Sequence, residues 1–169
     1  MQLRNSGCSI EDATANKDKP LYSLPEAVER IKAAAQAAKR APFPFTLTAR
    51  AENFLRGNPD LEDTINRLQA FEKAGADVLF APGLPDLESV RKVCESLSRP
   101  VNFMVGIKGK SFSVAELEAA GVRRISLATS LFRAAMTGLV EAAREVKERG
   151  TFGYLERSLA TGDLNQHMK

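Results

Sequence analysis

The chain has 169 residues, 44% hydrophobic and 27% charged, a composition that excludes intrinsic disorder and suits one domain with a buried core. Its 24 lysines and arginines against 21 acids give a net charge of +3, interspersed along the chain, and with no tryptophan and two tyrosines the basic, aromatic-interleaved stripe of a nucleic-acid binder is absent. Mean hydropathy is −0.22, no apolar run approaches the ~18 residues of a membrane helix, and Met1–Ser6 lacks a signal-peptide core, so no membrane partner and a cytoplasmic location are the expectation.

Short apolar runs alternate with longer amphipathic ones. Cys8–Glu11 reads as the first strand. Pro25 suits a first helical turn, and Val28, Ile31, Ala34, Ala35 and Ala38 continue at helical spacing. Phe45–Arg50 is the second strand. Asp60 is a candidate N-cap for a helix burying Leu61, Ile65, Leu68 and Phe71 and ending at Gly75. Asp77–Ala81 is the third strand, and Asp86 caps a helix carrying Leu87, Val90, Val93, Cys94 and Leu97. Val101–Val105 is the fourth strand; Ser113 then opens a helix with Val114, Leu117 and Ala120, stopped by Gly121. Arg124–Ala128 is the fifth strand, and the last long helix runs through Leu131, Ala135, Leu139, Ala142 and Val146 to Gly150.

Strict β-α alternation predicts right-handed crossovers and a parallel sheet. Residues 1–150 form five such units, with residues 151–169 as a helical tail. A complete (β/α)₈ barrel takes about 250 residues, so the pattern is either an open doubly wound sheet or part of a barrel.

In both architectures chemistry sits at the carboxyl ends of the strands. Those ends carry Glu11-Asp12, Arg50 with Glu52 and Asn53, Pro82-Gly83, Asn102, and Thr129-Ser130. Glu11 or Asp12 suits a hard cation, directly or through water. Arg50 has the fork geometry that grips a carboxylate or phosphonate. A salt-bridged rim of Glu11, Arg50 and Glu52 is the plain alternative. The loops at Gly83 and Gly106–Lys110 lack a phosphate-binding fingerprint, and Lys108 and Lys110 suit either an anion contact or a solvated loop. Residues 13–20 read as a lid or an ordinary connection. Cys8 and Cys94 form no CxxC pair, and a single histidine, His167, excludes a zinc cluster and a Ser-His-Asp triad.

Five segments in order carry a resemblance: Ser9–Thr14, Thr46–Phe54, Ala74–Gly83, Pro100–Asn102 and Gly121–Ser126. Together they resemble the phosphoenolpyruvate mutase/isocitrate lyase family, over about residues 7–155. The resemblance implies a partial TIM-type (β/α)₈ barrel corresponding to the last five of eight units. It also implies Mg²⁺-dependent C–C or P–C bond chemistry on small 2-oxo or 2-hydroxy acids. On it, Glu11 belongs to the Mg²⁺ shell through water, with Asp12 beside it, while Arg50 and Asn102 bind substrate.

The sequence departs from that family in two places. The family's metal-binding Asp-x-Asp strand has no counterpart before Gly7, and the lyases' Lys-Cys-Gly-His loop is replaced by Thr14–Pro20, without cysteine or histidine. Two functional readings follow. One is an enzyme of this family, impaired or inactive as this chain alone; the other is a catalytically dead, self-assembling scaffold or anion-binding module. An independent flavodoxin-like binding domain is disfavoured by the missing phosphate loop. A partial barrel exposes sheet edges, so the sequence predicts a homo-oligomer in which self-association completes or covers the barrel. The resemblance implies a tail, Phe152–Lys169, exchanged between subunits, with a short helix packed on its own chain as the alternative.

Overall fold

The computed structural model describes residues 6–167. Among them, five parallel strands form one sheet in the order β1-β2-β3-β4-β5: Ser6–Glu11, Phe45–Arg50, Val78–Phe80, Val101–Met104 and Arg124–Ser126. Each strand pairs with its sequence neighbour, and the order never reverses. A doubly wound sheet needs such a reversal, so the open-sheet alternative falls and the architecture is a half-barrel.

The connecting helices are α1 (Leu24–Lys39), α2 (Leu61–Lys73), α3 (Leu87–Glu95) and α4 (Val114–Ala119). Asp60 caps α2 by accepting from the Asp63 amide at 3.0 Å, and Asp86 caps α3 through the Ser89 amide at 2.8 Å. Ser113 accepts from the Glu116 amide while its own amide donates to the Glu116 carboxylate, which closes the first turn of α4 from both sides. After α4, Gly121 turns the chain at φ +95°, a left-handed value that suits glycine.

The period-two alternation of the strands sorts side chains to two faces. Leu47, Ala49, Leu79, Val101 and Phe103 face outward and bury against Ile31 of α1, Leu68 and Phe71 of α2, Val90 and Val93 of α3, and Leu117 of α4. Thr46, Thr48, Arg50, Val78, Phe80, Asn102, Arg124 and Ser126 line the concave face. The core thus lies between sheet and helices, and the hollow of the half-barrel is polar.

Several strand boundaries differ from expectation. β1 begins at Ser6 because Ser6 and Gly7 pair with Phe45 and Thr46. β3 begins at Val78, since the Asp77 carboxylate takes the Leu47 amide at 2.9 Å. β5 stops at Ser126, and Ala128 has φ +46°. The chain divides into two compact units at Ala128/Thr129. The second unit holds α5 (Ser130–Arg149), a 3₁₀ turn at Gly153–Arg157 and α6 (Thr161–Gln166). Glu145 of α5 ties this unit internally by accepting from the Thr151 hydroxyl and the Gly153 and Tyr154 amides. Among the described residues no helix is long and apolar enough to cross a membrane.

Candidate functional site

Strand register aligns the candidate residues in one row. Glu11 lies opposite Arg50, Arg50 opposite Phe80, Phe80 opposite Asn102, and Asn102 opposite Arg124. The row crosses a hollow of about 540 Å³.

Arg50 is the most firmly held member. Its Nε donates to Glu52 Oε1 at 2.7 Å and stands 3.5 Å from Glu11 Oε2. Its guanidinium lies over the Phe80 ring, 5.0 Å from the centroid. Glu52 is 1% exposed and also meets Arg56 Nε at 3.3 Å, so a buried carboxylate fixes two arginines at once. Arg56 reaches Glu11 at 3.7 Å. The salt-bridged rim therefore exists, and it holds Arg50 in the lining of the hollow.

Asp12 is set apart from this row. It is 2% exposed; Oδ1 accepts the Glu52 amide at 2.8 Å and Oδ2 accepts Arg67 Nη1 at 3.1 Å. Burial pushes the Asp12 carboxyl above its ordinary pKa, opposed by the Glu52 amide and Arg67. Arg67 also donates to the Tyr22 carbonyl and to Asp63. Desolvation acts on Asp63 as well, but its hydrogen bonds to Arg67 and Asn53 hold its pKa below the ordinary value. Asp12 thus anchors the segment after β2 and does not open into the hollow.

Asn102 is 4% exposed; its Nδ2 donates to Ser126 Oγ at 3.0 Å, while its Oδ1 is buried without a partner. Among the described residues no group of three or more His, Cys, Asp or Glu side chains is arranged to hold a metal ion. Glu11 is a half-exposed carboxylate with two guanidiniums beside it. A hard divalent cation needs about six oxygen ligands, so these residues do not by themselves fit Mg²⁺.

The 13–20 segment closes on itself: Ala13 bridges Leu21, and the Thr14 amide donates to the Pro20 carbonyl at 2.8 Å. Lys110 Nζ reaches the Gly83 carbonyl at 3.4 Å and so ties two βα loops together. Sequence reading passed over Phe80 and Arg124 as site residues. The signal was available, because alternation along β3 and β5 puts Phe80, Arg124 and Ser126 on the face of Arg50 and Asn102.

Comparison with known proteins places this geometry. A solved structure from Burkholderia cenocepacia J2315 described as a "putative lyase/mutase" superposes with TM-score 0.90 at 47% identity, covering 95% of this chain and 58% of that one. The 2-methylisocitrate lyase of Escherichia coli (strain K12) is 29% identical over 154 residues, 86% of this chain and 51% of that protein. A phosphonopyruvate hydrolase solved with oxalate and Mg²⁺ shares the fold, with TM-score 0.75 at 23% identity, covering 96% of this chain and 60% of that one. The chain spans about half the length of the curated relatives it matches. The family model described as phosphoenolpyruvate phosphomutase matches residues 1–147, and with five parallel strands in barrel order behind that match the chain belongs to this family of lyases and mutases of small acids.

Proposed function

We propose that this chain supplies the substrate-anion half of an active site acting on small 2-oxo or 2-hydroxy acids. The observation that carries the reading is Arg50, fixed by the buried Glu52 and facing the hollow with Asn102 in the same row. Arg50 offers its fork to a carboxylate or phosphonate, and a guanidinium already oriented loses little entropy on gripping it. The Asn102 amide lies where it can bond a substrate oxygen. Glu11 stays at the rim beside Arg50 and Arg56, and Asp12 is assigned to the architecture.

Turnover needs a carboxylate cluster that the described residues do not arrange, and Thr14–Pro20 offers neither cysteine nor histidine for C–C cleavage of the isocitrate lyase kind. The chain alone is therefore a binding module with impaired or absent catalysis. Calorimetric titration with oxalate, a mimic of the pyruvate enolate, with and without Mg²⁺, tests this. Saturable binding abolished by Arg50→Ala, with the fold retained, supports the reading; heat unchanged in the variant overturns it.

A second reading, self-association, is supported by the second unit, where Leu131, Phe132, Leu139, Phe152, Leu155 and Leu159 are each more than half exposed. A homo-oligomer that persists on dilution in light scattering supports it, and a compact monomer overturns it.

A further inference from the structure

We propose that a groove between the carboxyl ends of α3 and α4, at the amino ends of β4 and β5, binds a small phosphate monoester. The groove has a volume of about 520 Å³ and shares no residue with the hollow. Its lining lies wholly within residues 91–123, so one stretch of the first unit builds it.

Three arginines from three different elements converge there: Arg91 from α3, Arg99 from the turn before β4, and Arg123 from the position before β5. None of the three side chains has a hydrogen bond or an ion pair among the described residues. Arg50, Arg56 and Arg67, by contrast, are each held by a carboxylate. Glu95 is the one carboxylate in the lining, so two positive charges stay uncompensated. The helix ends do not need them. Carbonyls in the last turn of α3 are met by the Ser96 and Leu97 amides, and those of α4 by the Gly121 and Val122 amides.

The walls of the groove are fixed. Glu72 of α2 accepts from the Ser98 amide at 3.1 Å, Gln69 Nε2 donates to the Ser96 carbonyl at 3.1 Å, and the Arg123 amide donates to the Val101 carbonyl at 3.2 Å. Gly121 brings the end of α4 so close to α3 that an added Cβ would fall 2.9 Å from Cys94 Cβ. A ligand therefore meets a backbone already in place, which lowers the ordering cost of binding. Like charges gathered in a cleft raise its potential. A phosphate monoester carries about −1.5 to −2 charge at pH 7, which matches the two uncompensated charges, and its oxygens suit the guanidinium fork. In βα-barrels chemistry sits at the opposite, carboxyl end of the strands, so the bound ester is not the substrate of the hollow.

The test titrates the full chain with phenyl phosphate by calorimetry at low salt. Saturable one-to-one binding is expected, weakened at least about tenfold by Arg99→Gln or Arg123→Gln and weakened by added salt. Iodoacetamide labelling of Cys94, which lines the groove, is expected to slow when the ester is bound, with Cys8 labelling unchanged. Circular dichroism checks that each variant keeps the fold. No binding by the folded chain overturns the proposal. An equal loss in Arg40→Gln, which removes the same charge from an exposed position at the end of α1, reduces the binding to net charge and overturns it as well. Loss in Arg50→Ala, with binding kept in both groove variants, moves the anion to the hollow; that overturns the groove site and leaves the reading of Arg50 standing.

Discussion

Arg67 in α2 donates to Asp12, the residue directly after β1, at 3.1 Å, and both side chains are buried. The same guanidinium holds the Tyr22 carbonyl at 3.0 Å, so one arginine joins the first strand, the approach to α1 and the second helix. Removing one partner of such a pair leaves the other charge stranded. Arg67→Met is therefore expected to destabilise the first unit by about 3–5 kcal/mol, read as a lowered urea midpoint. A loss under about 1 kcal/mol would mean that water readily replaces the guanidinium.

Glu52→Gln keeps the shape of the clamp and removes its charge. Arg50 and Arg56 then share a neutral acceptor in place of a buried carboxylate. Oxalate affinity is expected to fall about tenfold through loss of the Arg50 orientation, with a stability loss of about 1–3 kcal/mol. Calorimetry on the folded variant separates the two effects; unchanged affinity would make Glu52 purely structural.

The two thiols differ in accessibility. Cys94 is partly buried, and desolvation pushes its pKa up to about 11, while Cys8 is exposed in the hollow. The thiolate is the reactive form. At pH 8 the Cys94 thiol therefore stays protonated, and iodoacetamide is expected to modify Cys8 well before Cys94. Because a raised thiol pKa delays ionisation, Cys94 labelling should keep climbing with pH and level off only near pH 11. Peptide mass spectrometry across a pH series checks both; equal rates at pH 8 would contradict the buried setting of Cys94.

Two glycines with positive φ separate strain from crowding. Gly57 has φ +82° and open space where a Cβ would stand; at Gly121, φ +95°, that Cβ would fall 2.9 Å from Cys94 Cβ. Gly57→Ala is expected to cost about 1 kcal/mol, and Gly121→Ala about 3 kcal/mol, since overpacking adds to the backbone term. Thermal melts of the pair check the difference, and equal shifts would mean that α3 yields without cost.

The fold was legible because its signals are local. Helix caps at Asp60, Asp86 and Ser113, the glycine stop at Gly121 and the alternation in β2 each depend on a few neighbouring residues. Arg50 was legible at the carboxyl end of β2, whereas Asn102, expected at a strand end, is the second residue of β4 and reaches the row beside Phe80 through the stagger of the strands. The role of Asp12 was not, because its partner Arg67 lies 55 residues away and nothing local announces a buried pair. Adjacent carboxylates at Glu11 and Asp12 look alike in sequence. Strand alternation and the turn after β1 send one toward the hollow and the other beneath the segment that follows β2.

The strand order has a kinetic corollary. Every strand hydrogen-bonds only to the strands before and after it in the chain, with paired residues roughly 20–40 positions apart. No long-range closure between β1 and β5 must be found before the sheet is stable, so the loop entropy of folding is met in small steps. The first unit can then grow one βα step at a time, like a row of bricks laid against its last member, and the hollow is complete once β5 is laid beside β4.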